Sequence, residues 1–236
     1  MPALCVALVA GATLAVSGLG YRWGMWSVAT AFTIFRAVVF VGGAATVVAS
    51  AGLAVALVRR RWAIAAFAVA AILIGIVSMM VPIGFARRAA AVPPIHDITT
   101  DTRHPPPFVA LRQARVAAPN GAEYGGPEVA AQQERAYPDL TALRFTAARQ
   151  RVFAAALAVM RESGWTVAAA VADEGRLEAT ATTPWFGFKD DIVIRVTPAG
   201  GGSRVDVRSL SRVGGGDAGT NAQRIREYVE VLQGGE

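Results

Sequence analysis

The chain has 236 residues, a formal net charge of +6, a sequence pI near 10.4 and a mean hydropathy of +0.42. The positive excess is confined: residues 1–88 hold seven arginines and no acid, whereas residues 89–236 hold fifteen arginines, Lys189 and all seventeen acids, a net charge of −1. A near-neutral polar part offers no phosphate-neutralising face, so nucleic acid is not an expected partner, and a single cysteine, Cys5, excludes a disulfide framework.

Three uncharged apolar runs fill the first third: Leu4–Gly20, Ala37–Val58 and Trp62–Ala86, of 17, 22 and 25 residues. At a rise of ~1.5 Å per residue each approaches or reaches the ~30 Å hydrocarbon thickness, which predicts three transmembrane helices within a membrane domain spanning 1–88. Trp23, Trp26 and Trp62 fall at the ends of the runs with flanking arginines, the usual interfacial anchors, and Arg36 is expected at the start of the second helix. Residues 1–10 carry no positive n-region, so a cleaved leader is not expected. The absence of intramembrane acids argues against an ion pathway. With Arg59–Arg61 in the tightest loop placed inside, the segment after residue 88 lies outside. The expected location is therefore multi-pass in a bacterial inner membrane, with an extracytoplasmic soluble domain.

Residues 89–139 are rich in Pro and Gly, as in VPPIHDITTDTRHPPPF and APNGAEYGGP, and predict a connecting arm with little regular structure. Ile95, Ile98, Phe108, Leu111, Tyr124 and Tyr137 give it enough apolar anchors to wrap on the domain that follows. That domain, 140–236, reads as a strand at Leu140–Phe145, then a helix over Ala147–Ser163 N-capped by Thr146 and ended by Gly164. Strands follow at Trp165–Ala172, Arg176–Thr183, Ile192–Thr197 and Arg204–Ser211, and a last helix over Thr220–Gln233. The order predicts an α+β fold: three membrane helices, then a β-α-β4-α domain whose antiparallel sheet is covered on one face by two helices.

The phrase TTPWFGFKDDIVIRV, residues 182–196, sets three rings, a lysine and two carboxylates ahead of a β-branched strand. Alternation sends Asp190 and Asp191 to opposite faces, so they form no shared-proton pair. Matching apolar to apolar pairs Val196 with Val205 and Ile194 with Val207, which sets Arg195 opposite Asp206 and Val193 opposite Arg208. Asp191 then belongs to a cross-strand charge ladder, diagonal to Arg208. Asp190 falls on the apolar face opposite Ser211, either capping neighbouring loop amides or lining the rim of a groove. The candidate ligand-binding residues are accordingly Trp185, Phe186, Phe188, Lys189 and Asp190, with the rings serving as a core plug, a ligand wall or a bilayer contact.

A second cluster, His96, Asp97 and Asp101 in IHDITTD, has metal-capable side chains without a zinc spacing; turn capping is the competing role. No serine elbow, phosphate loop or cysteine nucleophile is present, so neither a cofactor nor catalysis is expected.

The phrases PPIHDITTD (93–101), YGGPEVAAQQERAYPD (124–139), FGFKDDIVIRV (186–196) and SRVDVRSLSRVG (203–214) closely resemble the family catalogued as domain of unknown function 1499, over roughly residues 90–233. Membrane segments ahead of the domain resemble an arrangement seen in bacterial members. The resemblance implies no activity and no catalytic residue. The strand order is also similar to the TATA-binding-protein-like and helix-grip group, some of whose members hold apolar ligands between helix and sheet, an associational warrant. The expected function is thus a membrane-anchored, non-catalytic envelope protein that binds a small apolar molecule or a protein partner. The alternative is a metal-assisted hydrolase using His96, Asp97 and Asp101 with Asp190.

Overall fold

A computed structural model describes residues 2–235. The chain divides into two compact units: Met1–Arg88 with the tetrapeptide Pro184–Gly187, and Ala89–Thr183 with Phe188–Glu236.

The first unit contains α1 (Pro2–Arg22), α2 (Val28–Val58) and α3 (Trp62–Ala90), three helices long and apolar enough to cross a membrane. They pack through small residues: Ala7, Ala45, Ala49 and Ala71 form a buried cluster, and Gly42 and Gly75 bring α2 and α3 into backbone contact. The second helix starts earlier than its uncharged run. Ser27 caps it by accepting from the Thr30 amide (3.2 Å), and nothing in VATAFTIF breaks a helix, so Arg36 lies two turns inside α2, with its side chain exposed, rather than at the start.

The tetrapeptide is the sequence-distant part of this unit. Its Trp185 indole Nε1 donates to the Ala15 carbonyl of α1 (2.9 Å), and its Phe186 ring stacks on Phe32 and meets Phe35 edge-on, both in α2. Gly18 makes the fit possible, since a Cβ there would lie 2.7 Å from Trp185 Nε1 and 2.9 Å from Phe186. Arg22 donates to the Pro184 carbonyl at the end of α1.

The second unit is built on one antiparallel sheet. Its strands are β1 (Asp97–Thr99), β2 (Leu143–Phe145), β3 (Thr166–Val171), β4 (Arg176–Thr182), β5 (Lys189–Ala199) and β6 (Gly202–Ser211), in the order β1-β6-β5-β4-β3. β2 pairs alongside the first half of β6, and β1 alongside its second half. The register expected for the final hairpin is observed, Val196 opposite Val205, Ile194 opposite Val207, Arg195 opposite Asp206 and Asp190 opposite Ser211, because a one-residue slip would bury arginines among valines.

Two helices, α6 (Arg149–Glu162) and α7 (Thr220–Gly234), cover one face. Val152, Phe153, Ala156 and Met160 from α6 meet Ile225, Tyr228 and Leu232 from α7 over Leu177, Ile192, Ile194, Val205 and Val207 of the sheet. Tyr228 stacks on Trp165 and donates to the Ala156 carbonyl (2.7 Å), so its hydroxyl is buried with a partner. Thr146 does not cap α6. Pairing of β2 continues to Phe145 opposite Ser203, which carries the backbone on before it can turn, and the cap position falls at Ala148 without a side-chain bond. Gly164 follows the C-cap Ser163 with φ +72°, the left-handed conformation that ends a helix.

The arm carries more regular structure than its composition suggests: β1, α4 (Arg112–Val116) and α5 (Gly126–Ala136). It covers the second face of the sheet, where Phe108 and Leu111 pack on Val193 and Leu210.

Candidate functional site

Strand alternation gives the two faces opposite chemistry. On the helix-covered face Asp190 stands at the open end of β5, nearly buried. It does not cap a loop. Arg224 of α7 reaches it instead, Nη2 donating to Asp190 Oδ2 at 2.7 Å. Arg224 Nη1 also donates to Asn221 Oδ1 (2.5 Å), and the Asn221 amide group donates to Ser211 Oγ (2.9 Å) and the His96 carbonyl (3.0 Å). Asp217 accepts from the Gly219 and Asn221 amides at 2.9 and 2.7 Å at the start of α7, and burial pushes its carboxyl above the usual range. This end of the face is a closed polar cluster in which every carboxylate has donors.

The rings expected to wall a groove here are elsewhere. Trp185 and Phe186 belong to the first unit, against α1 and α2. Phe188 remains at the strand entrance, half-buried, its amide donating to Thr183 Oγ1 (2.9 Å) and its carbonyl accepting from the Thr183 amide. The Lys189 side chain is exposed. The five candidate residues are thus divided between the two units, Trp185 and Phe186 with the apolar helices and Phe188, Lys189 and Asp190 with the sheet.

The second face carries a buried ionic network that no short motif announces. Asp191, fully buried, is paired with Arg115 (2.9 Å) and Arg212 (2.8 Å), and accepts from Thr180 Oγ1 (2.7 Å); its diagonal neighbour Arg208 is not a partner. The charge ladder expected from alternation is an enclosed one, since the arm packs over this face. Arg115 spends its remaining donors on the carbonyls of Asn120, Gly121, Leu210 and Ser211, stitching arm to sheet. Burial lowers its pKa from the ordinary guanidinium value and Asp191 opposes that shift. Glu178, also fully buried, accepts the successive amides of Val109, Ala110 and Leu111 at 2.9–3.0 Å and pairs with Arg176.

The expected metal candidates fall into this network separately. Asp97 holds Arg208 by two bonds of 2.8 and 2.9 Å, because β1 pairs with β6 and sets the two side chains on one face. Asp101 takes Arg195 and Arg204, which also grip Asp206, and accepts from the His104 amide at 2.9 Å as a turn residue does. His96 faces the Gly215 carbonyl at 3.4 Å. Among the described residues no three His, Cys, Asp or Glu side chains gather as a metal would require. The convergence needed by the hydrolase alternative does not occur, since arginines have claimed its carboxylates.

Two clefts lie along the arm: one of about 600 Å3 beside Pro93, Glu128, Gln132 and Arg135, and one of about 300 Å3 bordered by Pro105, Pro107, Phe108, Arg112, Glu123, Tyr124 and Arg208. The Arg208 guanidinium lies 5.1 Å from the Phe108 ring centre and 5.6 Å from that of Tyr124. Among the described residues the hydroxyls of Tyr124 and Tyr137 are buried with no hydrogen-bond partner.

Comparison with known proteins adds one match: residues 97–232 fit the family described as "Protein of unknown function (DUF1499)". No curated protein matches the chain.

Proposed function

Since the chain belongs to the DUF1499 family, whose description assigns no activity, we propose from the site itself that this is a membrane-anchored binding module and not an enzyme. The observation that carries the reading is the state of the carboxylates. The five least accessible carboxylates among the described residues of the second unit, Asp97, Glu178, Asp190, Asp191 and Asp206, are held by guanidinium groups, Glu178 by three backbone amides as well, and Asp217, whose carboxyl is raised by burial, is held by the amides of Gly219 and Asn221 as a helix-start cap. General acid–base catalysis needs a group that exchanges its proton with a substrate, and a carboxylate locked by arginine is the poorest candidate. What the domain offers is a rigid, doubly covered sheet, suited to holding a surface in place. The three apolar helices support membrane anchoring; the proposed location is a bacterial inner membrane, with the module on the extracytoplasmic side on the strength of the Arg59–Arg61 loop, binding a small apolar molecule or an envelope protein.

The experiment uses the full chain purified in detergent. Native mass spectrometry and solvent extraction should recover a retained small molecule or protein at defined stoichiometry, while esters, phosphate esters and glycosides should remain intact. Turnover of any of these that disappears in Asp190→Asn, with folding unchanged, would overturn the reading.

A further inference from the structure

We propose that the seam between α2 and α3, where Arg36 and Arg88 flank the stacked rings of Phe32 and Phe85, binds the headgroup of an anionic phospholipid. The inference goes beyond the binding-module reading and shares with it only the anchoring of the three helices in a bilayer.

The depth of Arg36 is the first support. The uncharged stretch of α2 that follows it, Ala37–Val58, has 22 residues and so runs about 33 Å, close to the ~30 Å of a hydrocarbon core. With Arg59–Arg61 at one boundary, Arg36 stands at the other, near the level of the lipid phosphates. Its side chain is exposed, one turn from the exposed Phe40, and makes no hydrogen bond or ion pair among the described residues. A guanidinium at that depth is stabilised by an anion lying at the same level, and a lipid phosphate does so.

A second cation converges on the first. Phe32, in the first two turns of α2, stacks on Phe85 near the end of α3 with ring centres 5.7 Å apart, while Gly42 meets Gly75, so the two helices run in opposite directions. Arg36 follows Phe32 by four residues and Arg88 follows Phe85 by three, which places each on the same side of its helix as its ring. Side chains on a helix lean toward its N-terminus. Antiparallel helices therefore lean Arg36 toward Phe32 and Arg88 back toward Phe85, bringing the two guanidinium groups to one level from opposite ends of the ring pair. Arg88 is exposed and, like Arg36, has no partner among the described residues.

Charge then selects the occupant. Residues 1–88 contain seven arginines and no acid, so nothing within this unit neutralises the pair, and the same surface on a second copy would repel it. Arg22, at the same end of the bundle, donates to the Pro184 carbonyl instead. The anion is one that the bilayer supplies. A phosphodiester offers its two free oxygens to a pair of guanidinium forks, and a headgroup without a cation of its own leaves both oxygens available. Phe32, Phe85 and Phe40 supply apolar surface beside the acyl chains.

The test uses the full chain in detergent, stripped of endogenous lipid and offered dioleoyl phosphatidylglycerol, dioleoyl phosphatidylcholine or glycerol phosphate. Native mass spectrometry counts the retained molecules, and the unfolding midpoint is read at each addition. Phosphatidylglycerol should be retained about ten-fold better than phosphatidylcholine, as expected for charge-assisted bonds, and should raise the midpoint; glycerol phosphate, an anion without acyl chains, should do neither. Arg36→Gln and Arg88→Gln, both exposed changes, should each remove most of the preference and leave the lipid-free midpoint where it was, whereas Arg59→Gln at the opposite end of α2 should keep it. Equal retention of the two lipids, binding of glycerol phosphate as tight as that of the lipid, or a preference that survives Arg36→Gln and Arg88→Gln but vanishes in Arg59→Gln would each overturn the assignment. A chain released from membranes by alkaline carbonate would sink the anchoring and this site together, while a firmly held chain without lipid preference would sink this site alone.

Discussion

Arg115 is the residue on which the arm-covered face depends most, and Arg115→Met is the change that measures it. The side chain is fully buried and makes five hydrogen bonds, one to Asp191 and four to carbonyls of Asn120, Gly121, Leu210 and Ser211. Methionine fills similar volume but leaves Asp191 with Arg212 as its one remaining ion-pair partner and orphans carbonyls beside the sheet. Removing one member of a buried pair costs roughly 3–5 kcal/mol, mostly from the charge left behind. At about 1.4 kcal/mol per decade this is roughly a 10²- to 10⁴-fold loss of protection, read by hydrogen exchange of β5 and β6 peptides in the full chain. The double variant Arg115→Met/Asp191→Leu should recover more than half of the loss, because the buried charge leaves with its partner and Arg212, a fifth exposed, can turn to water. Protection in Arg115→Met within about three-fold of the parent, well under 1 kcal/mol on the same scale, would refute the claim that this guanidinium holds the arm to the sheet.

Two further outcomes follow from the geometry. Gly18→Val places side-chain atoms where Trp185 and Phe186 now lie, so the 184–187 segment should leave its seat and exchange faster, with a shift in tryptophan emission; unchanged exchange and emission would mean the rings do not occupy it. For Asp217 the folded pKa is raised above its ordinary 3.8, chiefly by burial, so the folded state binds the extra proton. Its contribution is then full at pH below 3.8 and is lost as pH rises toward the raised folded value. The stability difference between the parent and Asp217→Asn should therefore fall across that interval, and a flat or rising difference in denaturant titrations would contradict the burial argument.

What the sequence makes legible is local and periodic. The β5–β6 register follows from Val193 to Val207 because a wrong register is penalised at every position at once. The apolar stripes of α6 and α7 are readable for the same reason. Partners separated by long stretches of chain are not. Nothing near Asp190 points to Arg224, and Arg115 looks like one more surface arginine until the arm folds back over β6. A hint does exist: Leu111 and Arg115 are four apart, a helical spacing that places the arginine beside a buried anchor, while β5 and β6 present a row of charges too dense for a simple solvent face. The boundary after residue 88 reads cleanly from charge, yet four residues between β4 and β5 return to the helices, with Trp185 and Ala15 separated by 170 positions. Aromatic side chains alone carry no address.

That returning tetrapeptide constrains biosynthesis. The three apolar helices leave the ribosome long before Pro184–Gly187 is translated, so the seat beside Gly18 must stay open, filled by lipid or by neighbouring side chains, until the fourth strand has emerged. Completion of the packing within this unit is consequently a late event, and a nascent chain stalled before Trp185 would lack it.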